Sequence, residues 1–378
     1  MKTATKEIFL FTLPIAIVVL FPLMVFFISG EFYSLEKIQS RMLEGEPILY
    51  GKAYMVDSDR DFKIPMMQRI TPDIMTLGNS RVLTFRREFF EEGTRFFNGG
   101  SLVGNFSDLE KVINLVPKDS RPKVVIIGLD LHLFHPINDD LYKGDVKMAN
   151  INTKRSLLIS GLRNSYRDLL LGKYSVFKIL NAGGDGAVSP VGLKAVINND
   201  GFRSDGSYYY GYIMSDPQNP ENEDHEFKDT FARMKKGDQL FYQGKEISEL
   251  TISALVDFLD FAMENKIHVI GFHPPYAPTI YDALAARKND FEYMFRVNEI
   301  LAPIFQGYGF SLFDYSDIRF LGSSDEEFVD GFHGGEKAYA RIIMDMAEKD
   351  NLLNQYVDID ALRKKLDVSK TALEIFPN

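Results

Sequence analysis

Short apolar runs alternate along the chain with longer segments of mixed polarity. Runs at 73–77, 123–128 and 267–271 predict buried strands, because each is short, continuous in apolar character and bounded by polar residues or glycine. Shorter runs at 94–97 and 310–313 predict two further strands. The pattern therefore predicts at least five strands, distributed from residue 73 to residue 313.

Between these runs, apolar residues recur three and four positions apart, which is typical of helices with one buried face. The predicted helical segments are 82–92, 107–115, 154–171, 247–265, 286–306 and 334–348. Strands that alternate with helices predict an α/β fold, with a parallel sheet and helices on both of its faces. We place this domain at 71–350, with an insertion at about 136–245 and a polar helical tail at 351–378.

The first part of the chain has a different pattern. No charged residue occurs from Ile8 to Ser29, and a helix of that length would span about 33 Å, enough to cross a bilayer. Lys2 and Lys6 precede the run and favour a cytoplasmic N-terminus. A cleaved signal peptide is the alternative, but the run is long and lacks a small-residue cleavage pattern. We expect one transmembrane anchor in 1–30, a stalk at 31–70 and a domain outside the cytoplasm.

Composition narrows the possible partners and cofactors. The net charge of −10 argues against nucleic acid as a partner. The chain has no Cys, so disulfides and thiolate metal sites are excluded. His132 and His135 have the spacing of two metal ligands, but a zinc site needs three or four. We therefore expect no metal and no cofactor.

Ser80 lies directly after the first predicted strand, within Gly78-Asn79-Ser80-Arg81. In an open parallel sheet, such a strand-to-helix turn lies at the carboxyl edge, where ligands bind. N–H groups at the start of the next helix favour a developing negative charge there. Ser80 is thus a candidate nucleophile for attack on a carbonyl group. The alternative is a helix cap, since serine is a favoured N-cap residue.

A candidate general base for this serine, His333, lies near the other end of the chain. Of the six histidines, only His333 has an Asp three residues before it, which is Asp330. A carboxylate at that spacing can orient the imidazole so that its other nitrogen takes a serine proton. The alternative is a surface histidine at the start of a helix. The three residues together predict a Ser-His-Asp triad.

These blocks occur in an order that resembles the SGNH (GDSL-like) hydrolase superfamily. The blocks are Gly78-Asn79-Ser80-Arg81, the glycine loop at Gly99 and Gly100, Gly128-Leu129-Asp130, and Asp330 with His333. The resemblance implies a three-layer fold and catalysis by Ser80, His333 and Asp330. It also implies an oxyanion hole formed by N–H groups of Ser80, Gly100 and Gly99.

One position departs from the family pattern. SGNH enzymes usually have an Asn after the third strand that donates to the oxyanion, and the matching residue here is Asp130. An ionised carboxylate would oppose the developing charge. Asp130 is therefore protonated, or it has a different role, or another group supplies the contact. Other residues predicted to contact substrate lie close to these blocks. They are Arg81, His132, His273 and Tyr276.

The membrane-anchored layout is similar to accessory proteins of membrane-bound O-acyltransferases (MBOAT), as in D-alanyl transfer to teichoic acid and O-acetylation of alginate or cellulose. The resemblance implies a bacterial cytoplasmic-membrane protein with a single membrane pass and an extracytoplasmic domain. It also implies a polytopic MBOAT-type partner and a polysaccharide acceptor. An esterase or deacetylase of the same superfamily, and a non-catalytic glycan-binding or scaffold module, are the alternatives.

Overall fold

A computed structural model describes residues 11–12, 20–143, 154–181, 188–217, 219–222 and 224–376. The strands are β1 Ile48–Tyr50, β2 Ile74–Gly78, β3 Phe96–Gly100, β4 Val124–Gly128, β5 Ser189–Val191, β6 Asp200–Phe202, β7 Tyr208–Tyr210, β8 His268–His273 and β9 Ser311–Asp314. The helices are α1 Leu35–Leu43, α2 Asp59–Ile70, α3 Ser107–Ile113, α4 Asp140–Lys143, α5 Lys154–Leu170, α6 Val176–Asn181, α7 Leu193–Asn198, α8 Gly211–Ser215, α9 Lys228–Lys236, α10 Glu249–Glu264, α11 Pro278–Ala286, α12 Val297–Tyr308, α13 Glu336–Lys349 and α14 Ile359–Val368.

Five strands form one parallel sheet in the order β3-β2-β4-β8-β9. Every residue of β2, β3 and β4 is buried, as expected for strands that are covered on both faces. This burial explains why the strands appear in the sequence as continuous apolar runs. The predicted α/β fold with a parallel sheet flanked by helices is confirmed.

One predicted helix is wrong, and a second is wrong in part. Residues 82–92 contain only short 3-10 turns, Ser80–Val82 and Arg87–Phe89, and Arg86 between them is extended. The apolar residues of this segment are buried individually by tertiary contacts, so their helix-like spacing does not reflect a helix face. The predicted helix 286–306 is also wrong at its start, because α11 ends at Ala286 and α12 begins only at Val297.

The chain divides into two compact units. Unit 1 comprises 1–58, 148–204 and 209–212, and unit 2 comprises 59–147, 205–208 and 213–378. The residues predicted as a stalk, 31–70, contain α1, β1 and α2 and are shared between the units. The predicted insertion, 136–245, is likewise shared between them. A second sheet has the order β5-β1-β6-β7, with β1 parallel to β5 and antiparallel to β6.

Most of the predicted transmembrane anchor lies outside the described residues, which omit 1–10 and 13–19. Within the part of the chain that is described, no helix combines the length and the apolar character needed to cross a membrane. The last part of the apolar run is described, and residues 20–28 are helical there.

Candidate active site

The end of β2 turns sharply into the segment that carries Ser80. Gly78 has a φ of +151°, and a Cβ at this position would meet Val82 at 3.0 Å. The chain then enters the 3-10 turn Ser80–Val82, in which the Asn79 Oδ1 accepts a hydrogen bond of 2.9 Å from the backbone N–H of Arg81. The turn therefore depends on a glycine before it and on the Asn79 cap, and it places Ser80 at the carboxyl edge of the sheet.

His333 and Asp330 form a continuous hydrogen-bonded chain with Ser80. The Nε2 of His333 lies 2.9 Å from the Oγ of Ser80, and its Nδ1 lies 2.6 Å from the Oδ2 of Asp330. A carboxylate acceptor at Nδ1 assigns the ring proton to that nitrogen and leaves Nε2 as the acceptor for the serine hydroxyl. The structure thus brings together the three residues predicted from two distant parts of the sequence.

Asp330 also shapes the loop that holds His333. Its Oδ1 accepts hydrogen bonds from the backbone N–H groups of Phe332 and His333, at 2.9 and 2.7 Å. Burial alone would raise the pKa of Asp330, but the interaction with His333 and these hydrogen bonds outweigh it, so the pKa is lowered. Asp330 is therefore held ionised, the state needed to orient the imidazole.

The segment around α9 supports this loop through contacts that the sequence did not suggest. The Oδ2 of Asp224 accepts hydrogen bonds from the Gly331 N–H at 2.9 Å and from the Thr230 hydroxyl at 2.5 Å. A Cβ at Gly331 would lie 2.5 Å from Thr230, so the close approach needs glycine. No local signal marks these contacts, because about a hundred residues separate the partners.

Arg81 is fully buried and contacts several segments around Ser80 at once. Its guanidinium donates to the Oδ1 of Asp130 at 3.0 Å and to the carbonyl of Phe332 at 3.1 Å. It also donates to the carbonyls of Pro274 and Pro275, at 2.8 and 2.6 Å, and lies over the Tyr276 ring at 4.3 Å. Arg81 thus joins the turns after β2, β4 and β8 to the loop of His333. Its burial leaves it no contact with bulk solvent.

Asp130 has the role of a counter-charge in this arrangement. It is 0% exposed, and its Oδ2 has no hydrogen-bond partner among the described residues. Burial raises the pKa of Asp130, and the Arg81 guanidinium opposes that rise. An arginine stays charged in proteins and needs an acceptor when buried. The ion pair with Arg81 therefore accounts for a buried carboxylate at this position.

The glycine loop differs from the prediction. Gly99 and Gly100 belong to β3, and the Gly100 N–H donates to the Oδ1 of Asn98 at 2.8 Å. Lys63, whose pKa is lowered to about 7 by burial, donates to the carbonyls of Asn98 and Gly100. The predicted oxyanion role of Gly100 is therefore not supported, since its N–H already has an acceptor. Gly99 is paired with Leu77 in the sheet.

The remaining predicted residues separate into two groups. His273 is fully buried and contacts the Leu129 carbonyl through Nδ1 at 2.9 Å, and Tyr276 is buried beneath Arg81. His132 instead lines a cavity, and burial together with Arg81 lowers its pKa to about 3. Both ring nitrogens of His135 contact backbone atoms, so the pair His132 and His135 does not form a metal site. The described part of the chain contains no group of three or more potential metal ligands.

A cavity of about 170 Å³ opens beside the residues that precede Ser80. It lies between the segments that follow β2, β3 and β4. Its lining residues are Gly78, Asn79, Val103, Gly104, Asn105, Phe106, Leu109, Ile127, Gly128, His132 and Leu133. Among the described residues, neither the N–H of Ser80 nor the Nδ2 of Asn79 has an acceptor. The sequence did not single out Gly104 and Asn105, which lie between β3 and α3.

A scan against models of protein families found no match, and searches of curated proteins and of solved structures returned no similar protein.

Proposed function

We propose that the protein transfers an acyl group through Ser80, as an SGNH-type serine acyltransferase or esterase. The observation that carries this proposal is the hydrogen-bonded chain from Ser80 to His333 to Asp330, with distances of 2.9 and 2.6 Å. Its connectivity is that of serine hydrolases, in which the middle imidazole is both base and acid.

In the proposed reaction the Nε2 of His333 takes the Ser80 proton as Oγ bonds to the acyl carbonyl carbon. The tetrahedral intermediate collapses, and the leaving group departs with the proton from His333. A hydroxyl of the acceptor, or water, then loses a proton to His333 and attacks the acyl-serine. The second tetrahedral intermediate then collapses, which returns the proton to Ser80 and releases an ester or a free acid. Asp330 holds the imidazole tautomer throughout.

The oxyanion requires donors that are still available. We assign this role to the N–H of Ser80 and to the side-chain amide of Asn79, which lines the cavity and keeps Nδ2 free while Oδ1 caps the turn. Replacing Asn79→Asp preserves the cap acceptor but removes the donor. We expect kcat on p-nitrophenyl acetate to fall about 10²- to 10³-fold, the usual cost of one oxyanion donor. Unchanged turnover would exclude the amide from this role.

The cavity suggests a short acyl group. An apolar cavity of about 150 Å³ holds a benzene molecule, so the space here accommodates an acyl chain of a few carbons as well as acetyl. Phe106, Leu109 and Leu133 supply apolar contacts for such a chain. Relative kcat/KM on acetyl, butyryl and octanoyl esters measures this limit, and a preference for octanoyl would contradict it.

For the biological setting, we propose O-acylation of a cell-envelope or exported polysaccharide together with an MBOAT-type membrane protein. Support comes from the charge-free run Ile8 to Ser29 and from Lys2 and Lys6, which favour an extracytoplasmic domain. Cytoplasmic acyl donors cannot reach a serine there, so another protein must carry the acyl group across. Full glycan acylation by a form released through a cleavable signal in place of residues 1–30, with no co-purifying polytopic protein, would defeat this partnership.

Labelling by a fluorophosphonate probe tests the catalytic proposal directly. The full chain in mild detergent should be labelled at Ser80, and Ser80→Ala should abolish both the labelling and the hydrolysis of p-nitrophenyl acetate. A non-catalytic glycan-binding module is the second candidate, and the engagement of the Gly100 N–H by Asn98 favours it. A wild-type chain that resists labelling but binds polysaccharide would select that alternative.

A further inference from the structure

Unit 1 exposes an unusual set of large apolar side chains on α5, on α6 and in the turn between them. Leu170 is 85% exposed and Phe177 is 78% exposed. The apolar surface of unit 1 is defined here by five exposed residues. They are Ile159, Leu170, Leu171, Phe177 and Leu180. Exposed apolar residues that occur singly are common, but a group within one short segment marks an interaction surface.

The same segment is strongly basic. Residues 154–181 contain six Lys or Arg residues and one Asp, in a chain whose net charge is −10. The side chains of Arg167 and Lys173 are each 61% exposed, and both pair with Asp168, at 3.2 and 3.5 Å, so the three side chains together carry one net positive charge. A helical segment that combines basic residues with large apolar ones is typical of helices that lie in the interface of an anionic membrane.

These helices pack against the end of the charge-free run. Val25 and Phe26, in the helical segment 20–28, are buried in a cluster with Tyr174, Ile179 and Leu193. Leu158, Leu162 and Leu169 of α5 pack against the same cluster. On the same helical segment, Leu20, Met24 and Phe27 are exposed. The apolar surface of unit 1 therefore lies on helices that are fixed to the described end of the predicted anchor.

We propose that the apolar surface of unit 1 inserts into the interfacial region of an anionic phospholipid bilayer. Positive charge beside exposed Leu and Phe complements anionic headgroups above an acyl boundary, with Arg167 and Lys173 at headgroup level. Fixing unit 1 at the interface adds a second membrane contact to the anchor. The inference rests on the membrane attachment in the proposed function, but it concerns a separate set of residues.

The absence of Cys allows a direct test with single-cysteine variants of the full chain. Leu170→Cys and Phe177→Cys would each be labelled with an environment-sensitive fluorophore. Each labelled protein would then be reconstituted, without any partner protein, into phosphatidylcholine–phosphatidylglycerol vesicles that contain nitroxide-labelled lipids as quenchers. Leu20→Cys reports on the anchor, and Val368→Cys, 67% exposed in unit 2, is the control of matched exposure. We expect severalfold quenching at residues 170, 177 and 20, and none at 368.

A charge arm completes the test. The double substitution Arg167→Gln with Lys173→Gln, or vesicles of phosphatidylcholine alone, should reduce quenching at residues 170 and 177 and leave residue 20 unchanged. Quenching at 20 without quenching at 170 and 177 overturns the inference while membrane attachment stands. No quenching at any of the three refutes the attachment itself. The fluorophores at 170 and 177 could instead report an apolar environment without being quenched by the nitroxide-labelled lipids. If that signal rose with the amount of protein per vesicle, the surface would bind a second copy of the chain, and the inference would also be overturned.

Discussion

Unit 2 contains two clusters made of the same three residue types. In the first, His333 lies between Ser80 and Asp330, and each ring nitrogen contacts one of them. In the second, Asp350 lies in the middle, and its Oδ2 is 2.7 Å from His268 Nε2 and 2.6 Å from Ser311 Oγ. Only the first arrangement has an imidazole that can remove a serine proton.

The local roles of the two carboxylates explain this difference. Asp350 follows α13, and its Oδ1 accepts the backbone N–H groups of Leu352 and Leu353, so its side chain fixes the start of the 3-10 turn Leu353–Tyr356. Asp330 binds two N–H groups in a similar way, but its loop presents His333 to Ser80, in the turn that follows β2. The order of hydrogen bonding, rather than the set of residue types, separates a candidate catalytic cluster from a structural one.

Removing each serine tests this comparison with the largest expected effect. Ser80→Ala should lower kcat for ester hydrolysis about 10⁶-fold, because it removes the proposed nucleophile. Ser311→Ala should leave kcat unchanged and lower the free energy of unfolding by about 1 kcal/mol, the value of a typical hydrogen bond. Equal activity of Ser80→Ala and wild type would remove the distinction between the clusters.

Replacing the carboxylates of the two clusters, Asp330 and Asp350, should give the next largest difference in kcat. Asp330→Asn should lower kcat about 10⁴-fold, since an amide N–H facing Nδ1 favours the wrong imidazole tautomer. Asp350→Asn keeps the oxygen that accepts the Leu352 and Leu353 N–H groups and should retain wild-type kcat. Circular dichroism verifies folding of both variants. A comparable loss of kcat in the two would show that both act through stability.

Asp130 extends the comparison to a buried carboxylate whose partner is arginine. Asp130→Asn leaves Arg81 without its counter-charge, and breaking a buried ion pair costs about 3–5 kcal/mol of folding stability. Because Arg81 also binds the Phe332 carbonyl beside His333, we expect kcat to fall as well. Arg86→Lys is the matched control, since Arg86 is buried, paired with Glu336 and stacked on Phe376. It should lower the Tm without changing kcat, whereas full activity and stability of Asp130→Asn would contradict the role of the pair.

Local sequence patterns were sufficient for the five strands of the parallel sheet and for the three residues of the Ser80-His333-Asp330 cluster, but they missed the four short strands of the second sheet. Continuous apolar runs identify β2, β4 and β8 because both faces of these strands are buried. The spacing of Asp330 and His333 reflects a single loop, so it is visible in the sequence. Apolar spacing predicted a helix at 82–92 incorrectly, since residues such as Phe85 are buried by separate tertiary contacts.

Local sequence patterns did not predict the interactions between residues that are distant in the chain. The glycine loop gave no indication that Asn98 would take the Gly100 N–H, or that Lys63 would bind the adjoining carbonyls. The pairing of Arg81 with Asp130 depends on the order of β2 and β4 in the sheet. The order of the strands in the sheet decides which residues form such contacts. A single sequence shows which residues are present but not which of them pair.

The smallest expected effect is the loss of folding stability at low pH in the cluster of Asp350, His268 and Ser311. Burial would raise the pKa of Asp350, but the hydrogen bonds from His268, Ser311 and the Leu353 N–H lower it to about 2. The ordinary value for Asp is about 3.9, so the folded state holds this carboxylate ionised over a range in which the unfolded chain binds a proton. The stabilisation is therefore complete above about pH 4 and is lost as the pH falls towards about 2.

His268 is partly exposed, so solvent screening limits this contribution to about 1–2 kcal/mol. Denaturant unfolding of wild type and Asp350→Asn should show a stability difference that is constant from pH 7 to about pH 5 and shrinks by that amount towards pH 3 or below. Comparing the two proteins at each pH cancels the protonation of other carboxylates, including Asp330. A difference that stays constant down to the lowest pH would mean that Asp350 is not held ionised by His268 and Ser311.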